Sequence, residues 1–67
     1  MLEYDILIQY DKGDNIYVAS IPELEGCMAH GDTPEDAARE IKIAFELWIE
    51  AANKHGFDIP EPIMYAS

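Results

Sequence analysis

The sequence predicts an α+β domain in which three antiparallel strands precede one long helix and a short fourth strand, in the order β-β-β-α-β. The prediction rests on alternating apolar residues near the start, a polar turn followed by a β-branched and aromatic run, and a helix start at Thr33 and Pro34. The 67 residues suffice for one domain, residues 1–67. Folding of so small a domain buries only about 60% of the surface of the unfolded chain, which favours self-association.

The first two strands are predicted to form a hairpin. Apolar residues occupy every second position of residues 2–10, so their side chains share one face, which we expect to meet the core. The polar residues 11–15 supply the turn, with Gly13 free to adopt positive φ. Residues 16–21 form the second strand until Pro22, which lacks a backbone donor. The alternating apolar residues of the first strand are Leu2, Tyr4, Ile6, Ile8 and Tyr10.

A third and a fourth strand are predicted on either side of the helix. Residues 23–26 form a polar link, and residues 27–30, bounded by glycines, form a short third strand that completes an antiparallel meander. After the helix, the proline-rich residues 57–62 are predicted to be an extended connector. Residues 63–65, with the sequence Ile-Met-Tyr, form the predicted fourth strand.

The helix is predicted over residues 34–55. Thr33 suits the N-cap, Pro34 the first helical position, and Gly56 the C-terminal stop. At about 100° per residue, most apolar side chains of the helix gather into one arc, which we expect to cover the sheet. The arc contains Ala37, Ala38, Ile41, Ala44, Phe45, Trp48, Ile49 and Ala52.

Two large apolar residues of the helix lie outside that arc. Ile43 points nearly opposite to it, and Leu47 falls beyond its edge. Together with Glu40, Ala51 and Lys54 they form a mixed strip that suits an interface with another subunit or a partner. Isolated surface apolar residues are the alternative interpretation, because such residues are common in soluble proteins.

The chain is strongly acidic. Fourteen Asp and Glu against four Lys and Arg give a formal net charge of -10. The resulting field repels phosphate, so we expect no direct nucleic-acid binding, and it attracts a basic protein. Solubility alone is the other explanation of this charge.

Cysteine and hydropathy patterns predict a cytoplasmic protein without a cofactor. Cys27 is the single cysteine, so no intramolecular disulfide can form, and a reducing compartment fits. The first residues do not resemble a signal peptide, and no apolar run approaches the roughly 18 residues of a membrane span. Cys27 is interpreted as a small buried residue, and no motif surrounds His30 or His55 that would indicate catalysis.

A metal-dependent nuclease is the enzymatic alternative. Asp5 and helix carboxylates such as Glu40, Glu46 and Glu50 are the ligand type that magnesium prefers. However, Asp5 lies opposite the apolar face of its strand, and the helix carboxylates lie off the core arc. Solvated surface charge is therefore the favoured interpretation, and no enzymatic activity is expected.

Two segments resemble the HicB-type antitoxins. Residues 15–27, with the sequence Asn-Ile-Tyr-Val-Ala-Ser-Ile-Pro-Glu-Leu-Glu-Gly-Cys, are similar to the strand-to-strand signature of that family. Residues 31–37, Gly-Asp-Thr-Pro-Glu-Asp-Ala, are similar to its helix start, and the helix that carries Trp48 continues the resemblance. The likeness covers residues 4–62. Glu25 departs from the family pattern, which usually has proline there.

The resemblance implies a partial ribonuclease-H-like fold and a non-enzymatic, protein-binding role. A HicB-type domain covers the active site of a small basic HicA-type toxin, an RNA-cleaving enzyme. Many members carry an additional DNA-binding segment, which we do not expect here because the chain ends at Ser67. An orphan oligomeric binding module without a toxin is the alternative that shares this fold.

The predicted partners are therefore a basic HicA-type toxin and a second copy of the chain, as a homodimer or higher oligomer. Acidic residues are the candidates for electrostatic contact with the toxin, and the off-arc apolar residues are the candidates for a self or partner interface. The candidate partner-binding residues are Glu23, Glu25, Asp32, Ile43 and Leu47.

Overall fold

A computed structural model describes residues 4–61 and shows a three-stranded antiparallel sheet followed by one long helix. This architecture confirms the predicted α+β class and the predicted order of the first four elements. The predicted fourth strand at residues 63–65 lies outside the described residues. The elements are β1 (Leu7–Asp11), β2 (Ile16–Ser20), β3 (Met28–Gly31) and α1 (Pro34–His55).

The sheet has the strand order β1-β2-β3, with β2 in the centre. Ala19 of β2 lies opposite Ile8 of β1 and Ala29 of β3, so these three side chains point to the same side of the sheet. The helix packs mainly on β3 and β2 and only slightly on β1. The core is therefore displaced toward β3, and Ala19 is fully buried.

The first strand is shorter and less covered than predicted. It begins at Leu7, and the earlier Tyr4 and Ile6 pack against the core without belonging to the sheet. Ile8 is exposed and Tyr10 is 52% exposed, so the expected burial of this face is wrong toward the hairpin turn. The reason is that α1 packs on the other two strands and, among the residues that the structure describes, no other element covers this end of β1.

The hairpin turn adopts its positive φ at Asn15, with φ 54°, and not at Gly13 as predicted. Asn tolerates the left-handed region better than most residues. The amide of Gly13 instead donates to Asp11 Oδ1 at 2.9 Å, which closes the turn through a side chain. The Tyr10 hydroxyl donates to Asn15 Oδ1 at 2.9 Å and braces the same turn.

Both predicted ends of the helix are confirmed. Thr33 is extended, and its Oγ1 accepts a hydrogen bond from the amide of Asp36 at 3.0 Å. Gly56 closes the helix in the left-handed region at φ 72°.

Before the helix, Gly31 lies so close to it that an added Cβ would stand 2.5 Å from the Ala37 nitrogen. A glycine is therefore needed where β3 meets the helix start.

The loop between β2 and β3 is a compact part of the core and not merely a polar link. The Leu24 amide donates to the Ile21 carbonyl at 2.9 Å, and the Cys27 amide donates to the Leu24 carbonyl at 3.0 Å. The Ile21 amide donates to the Cys27 carbonyl at 3.1 Å, which closes the loop at its base. These bonds turn Leu24 inward, where it is only 1% exposed. The buried residues of the described chain are Ala19, Ile21, Leu24, Cys27, Ala37, Ile41 and Ala52.

Candidate partner-binding surfaces

The loop between β2 and β3 is attached to the helix by a side chain. Trp48 Nε1 donates a hydrogen bond to the backbone carbonyl of Glu25 at 2.9 Å. The Trp48 ring is partly buried and packs against the core, as the helical arc predicted. The hydrogen bond holds the loop backbone at Glu25, and with it the neighbouring Glu23, near the C-terminal half of the helix.

The segment after the helix lies beside the same loop and helix and lines a pocket with them. The Phe57 amide donates to the Ala52 carbonyl at 2.8 Å, which fixes the chain immediately after Gly56. The His55 ring stacks on the Phe57 ring, with centroids 5.7 Å apart. The Tyr4 hydroxyl donates to the Pro60 carbonyl and holds the segment further along.

We call the resulting depression the aromatic pocket. It is open to solvent at the C-terminal end of the helix, and its floor is mostly apolar. Phe57 is 65% exposed, unusually open for a phenylalanine. The aromatic pocket is lined by Glu23, Glu25, Trp48, Ala51, Ala52, Phe57, Asp58 and Pro60.

The rim of the aromatic pocket is acidic. Glu25 and Asp58 are exposed, Glu23 is half-buried, and no Lys or Arg of residues 4–61 belongs to the lining. The pocket therefore combines exposed aromatic and aliphatic surface with negative charge. Such a lining suits a cationic side chain that has an apolar stem.

The third acidic candidate, Asp32, lies elsewhere. It is exposed immediately before the N-cap Thr33. Trp48, which binds the Glu25 carbonyl, stands about 21 Å along the helix axis from Pro34, at 1.5 Å per residue. The structure therefore brings Glu23 and Glu25 together and leaves Asp32 at the other end of the helix.

The apolar candidates lie on a separate surface. Ile43 is 49% exposed and Leu47 is 61% exposed, and they stand one helical turn apart. Met28 of β3 is also exposed and completes an apolar patch that we call the edge surface, formed by Met28, Ile43 and Leu47. A shallow groove joins these residues to their neighbours Ala29, His30, Glu40 and Ala44.

The edge surface adjoins the third strand of the sheet. Within the described residues, β3 pairs with β2 alone, so its other edge carries unpaired backbone groups. An edge strand beside exposed apolar side chains is a typical site for pairing with another chain.

The residues considered for catalysis are placed as follows. Cys27 is buried, as predicted, and burial raises the pKa of its thiol above its ordinary value of 9.0, which disfavours the reactive thiolate. His30 and His55 are exposed, as is Asp5. Among residues 4–61, no three His, Cys, Asp or Glu side chains gather where a metal ion would bind.

Over the same residues, no helix combines the length and the apolar character needed to cross a bilayer.

Two residues of these surfaces did not emerge from the sequence pattern. Phe57 lies in the predicted connector, and Met28 lies in the short predicted third strand, whose buried face the pattern does not identify. An aromatic residue directly after a helix-ending glycine is a weak signal, because hydrophobic residues there usually pack back onto the helix. Phe57 remains mostly exposed instead.

Comparison with known proteins identifies the family. The model of a family described as "HicB_like antitoxin of bacterial toxin-antitoxin system" matches residues 4–66. A UPF0150 protein of Synechocystis sp. is 39% identical over 59 residues, which cover 88% of this chain and 80% of that protein. A second UPF0150 protein of Synechocystis sp. is 33% identical over 48 residues, covering 72% of this chain and 68% of that protein.

A UPF0150 protein of Helicobacter pylori is 44% identical over 39 residues, covering 58% of this chain and 54% of that protein. No solved structure matches the chain significantly. The family match spans nearly the whole chain, and it includes the strand-to-strand and helix-start segments that resemble HicB-type antitoxins. The chain therefore belongs to the HicB-like antitoxin family of bacterial toxin-antitoxin systems.

Proposed function

We propose that this chain is a single-domain, non-enzymatic antitoxin that neutralises a small basic HicA-type RNA-cleaving toxin by covering the active site of that toxin. Family membership supports an antitoxin-like role. The observation that carries the finer proposal is the excess of exposed carboxylates on the described surface, within a chain of net charge -10.

The physical argument is electrostatic competition. An RNA-cleaving enzyme must attract phosphate, so its substrate surface carries positive charge. A strongly acidic protein is drawn to the same surface, and complementary charge accelerates the encounter and selects the orientation. Once bound, the antitoxin blocks the substrate sterically, which requires no chemistry of its own.

The proposed toxin contacts are the acidic candidates. Glu23 and Glu25 border the aromatic pocket, and Asp32 stands beyond the opposite end of the helix. Contacts at both ends would let one antitoxin span a wide basic surface.

We also propose that two copies associate through the edge surface. Met28, Ile43 and Leu47 expose apolar area beside the edge of β3, which pairs with no further strand among residues 4–61. A second copy that packs on this area would bury it and extend the core of a small domain. The toxin would then meet Glu23, Glu25 and Asp32, which lie outside the edge surface.

The antitoxin proposal is tested with the protein encoded beside this chain, which we expect to be small and basic. We expect that protein to cleave RNA and an equimolar amount of this chain to suppress the cleavage and to co-elute with it. RNA cleavage that persists at a fivefold excess of this chain contradicts the proposal and favours an orphan module. A neighbouring gene whose protein product is not basic does the same. RNA cleavage by this chain alone with Mg²⁺, lost in Asp5→Asn, would favour the nuclease alternative.

The self-association proposal is tested by light scattering. The chain has a mass of 7.6 kDa, so a dimer is expected at twice that mass. We expect Leu47→Asp to return the protein to a monomer, because the substitution places a charge in the apolar contact. The matched control is Leu7→Asp, which adds the same charge at an exposed leucine outside the edge surface. A wild-type mass that stays monomeric over a hundredfold range of concentration contradicts the proposal.

A further inference from the structure

We propose that the aromatic pocket binds an arginine side chain of the protein partner. This inference deepens the proposed function and rests on it for the nature of the partner, because it names the place on this chain and the chemical group that it recognises. Two independent features of the pocket, exposed aromatic surface and an acidic rim, select the same ligand.

The first feature is the aromatic surface. Phe57 is 65% exposed and Trp48 lines the same depression. Aromatic faces attract cations through the ring quadrupole, and the planar guanidinium of arginine also stacks on them. The aliphatic stem of an arginine can meanwhile cover the apolar Ala51 that lines the pocket.

The second feature is the charge of the rim. The carboxylates of Glu25 and Asp58 are exposed at the pocket, and the described lining contains no cation to neutralise them. A guanidinium donates up to five hydrogen bonds and matches carboxylates in a fork geometry. An anionic ligand would be repelled, and a purely apolar ligand would leave the carboxylates without a partner.

The pocket is also held in shape before a ligand arrives. Trp48 Nε1 fixes the Glu25 carbonyl at 2.9 Å, and the Phe57 amide is fixed to the Ala52 carbonyl at 2.8 Å. The two walls therefore have defined positions relative to the helix. Preorganisation of this kind lowers the entropy lost on binding.

A matched pair of peptides tests the inference. The probe is acetyl-Ala-Arg-Leu-Arg-Ala-amide, and the control replaces both arginines with citrulline, which keeps the shape and removes the charge. Trp48 is the single tryptophan of the chain and lines the pocket, so its fluorescence and its indole N–H resonance report on this site without a contribution from another tryptophan. We expect the arginine peptide to change both signals saturably and the citrulline peptide to leave them unchanged.

Variants separate the pocket from the overall negative charge. Phe57→Ala should weaken binding of the arginine peptide about two- to fivefold, the usual effect of one exposed cation–π contact. Glu25→Gln should weaken it as well, whereas Glu46→Gln, which removes the same charge from an exposed helix position outside the pocket, should not. Leu7→Ala, at an exposed leucine outside both the aromatic pocket and the edge surface, is the control for loss of exposed apolar area.

Three results would overturn the inference. The first is equal binding of the arginine and citrulline peptides, and the second is equal weakening of binding by Glu25→Gln and Glu46→Gln. The third is a Trp48 signal that responds to protein concentration and not to peptide. That signal would identify a second copy of the chain as the occupant of the pocket. The toxin assay separates this failure from that of the proposed function. If Phe57→Ala neutralises the toxin as well as wild type, only the pocket inference fails, and if wild type itself does not neutralise, the antitoxin proposal fails.

Discussion

The indole nitrogen of Trp48 lies 2.9 Å from the backbone carbonyl of Glu25 and donates a hydrogen bond to it. The two residues are 23 positions apart in the sequence, and their contact joins the loop between β2 and β3 to the helix. A domain of this size has a free energy of unfolding of only about 3 to 10 kcal/mol, so a single long-range bond is a considerable part of it.

Replacement of Trp48 by Phe should destabilise the protein by about 0.5 to 1.5 kcal/mol, because the ring is largely retained while the hydrogen bond is lost. Urea unfolding measures the change in stability. Amide hydrogen exchange at residues 23–26 should accelerate more than exchange in the middle of β2. The control is Glu25→Gln, which keeps the accepting carbonyl and should leave stability unchanged. Equal stability of Trp48→Phe and wild type would show that the hydrogen bond contributes nothing.

Gly31→Ala should destabilise the protein by about 1 to 3 kcal/mol, the range for forcing extra volume into a packed site. The added Cβ would stand 2.5 Å from the Ala37 nitrogen and 2.7 Å from the Asp36 Cβ, so β3 and the helix start must separate. Thermal unfolding followed by circular dichroism measures the effect. Gly13→Ala is the control, because its Cβ would meet only the flexible Asp11 carboxylate at 3.3 Å. If both variants have the same melting temperature, the close approach of β3 and the helix at Gly31 does not determine stability.

Thr33→Ala should lower the free energy of unfolding by about 0.5 to 2 kcal/mol through loss of the N-cap. The Thr33 Oγ1 accepts from the Asp36 amide at 3.0 Å, and alanine offers no acceptor. Thr33→Ser retains the hydroxyl and should be close to wild type in chemical denaturation. A serine variant as unstable as the alanine variant would argue that the threonine methyl group matters, and not the cap.

Cys27 should make stability depend on pH at the alkaline end. Burial raises the pKa of its thiol, so the folded state keeps its proton at pH values where the unfolded chain has lost it. The stabilisation of the folded state by this protonated thiol is therefore complete below the ordinary pKa of 9.0. It is lost as pH rises through the higher pKa of the folded state. Urea unfolding from pH 7 to above that value should show this decline, and Cys27→Ala should flatten it.

The same burial predicts slow alkylation. The thiolate attacks iodoacetamide and displaces iodide, and this thiolate is both scarce and covered in the folded protein. The reaction should accelerate strongly in urea. Rapid modification of the native protein would show that the loop around Cys27 opens readily.

Local chemistry explains why the predicted elements were largely confirmed. The helix lies at Pro34–His55 because Thr33 and Gly56 terminate it through their own backbone and side-chain geometry. The strands were displaced by only a few residues, except that β1 starts at Leu7 where the alternation began at residue 2. Alternation identifies side chains that share a face, but it does not require that each residue pair with a neighbouring strand.

The candidate site was less predictable. The exposure of Ile43 and Leu47 follows from helical geometry, because the opposite face of the helix covers the sheet. Leu24 was missed because its neighbours are acidic, and only the hydrogen bonds of the folded loop show that it turns inward. Phe57 was missed because its importance depends on the nearby Trp48 and Glu25.

The sequence by itself determined the features that depend on near neighbours: the helix with its two caps, the strand order, the apolar arc and the acidic charge. Only the tertiary structure decided which faces are covered, since the position of the helix over β3 and β2 leaves Tyr10 exposed on the face that buries Ala19. It also brought residues 23–25, Trp48 and residues 57–60 into one pocket. Contacts between distant residues depend on how complete elements pack, and periodicity within one element carries no information about that packing.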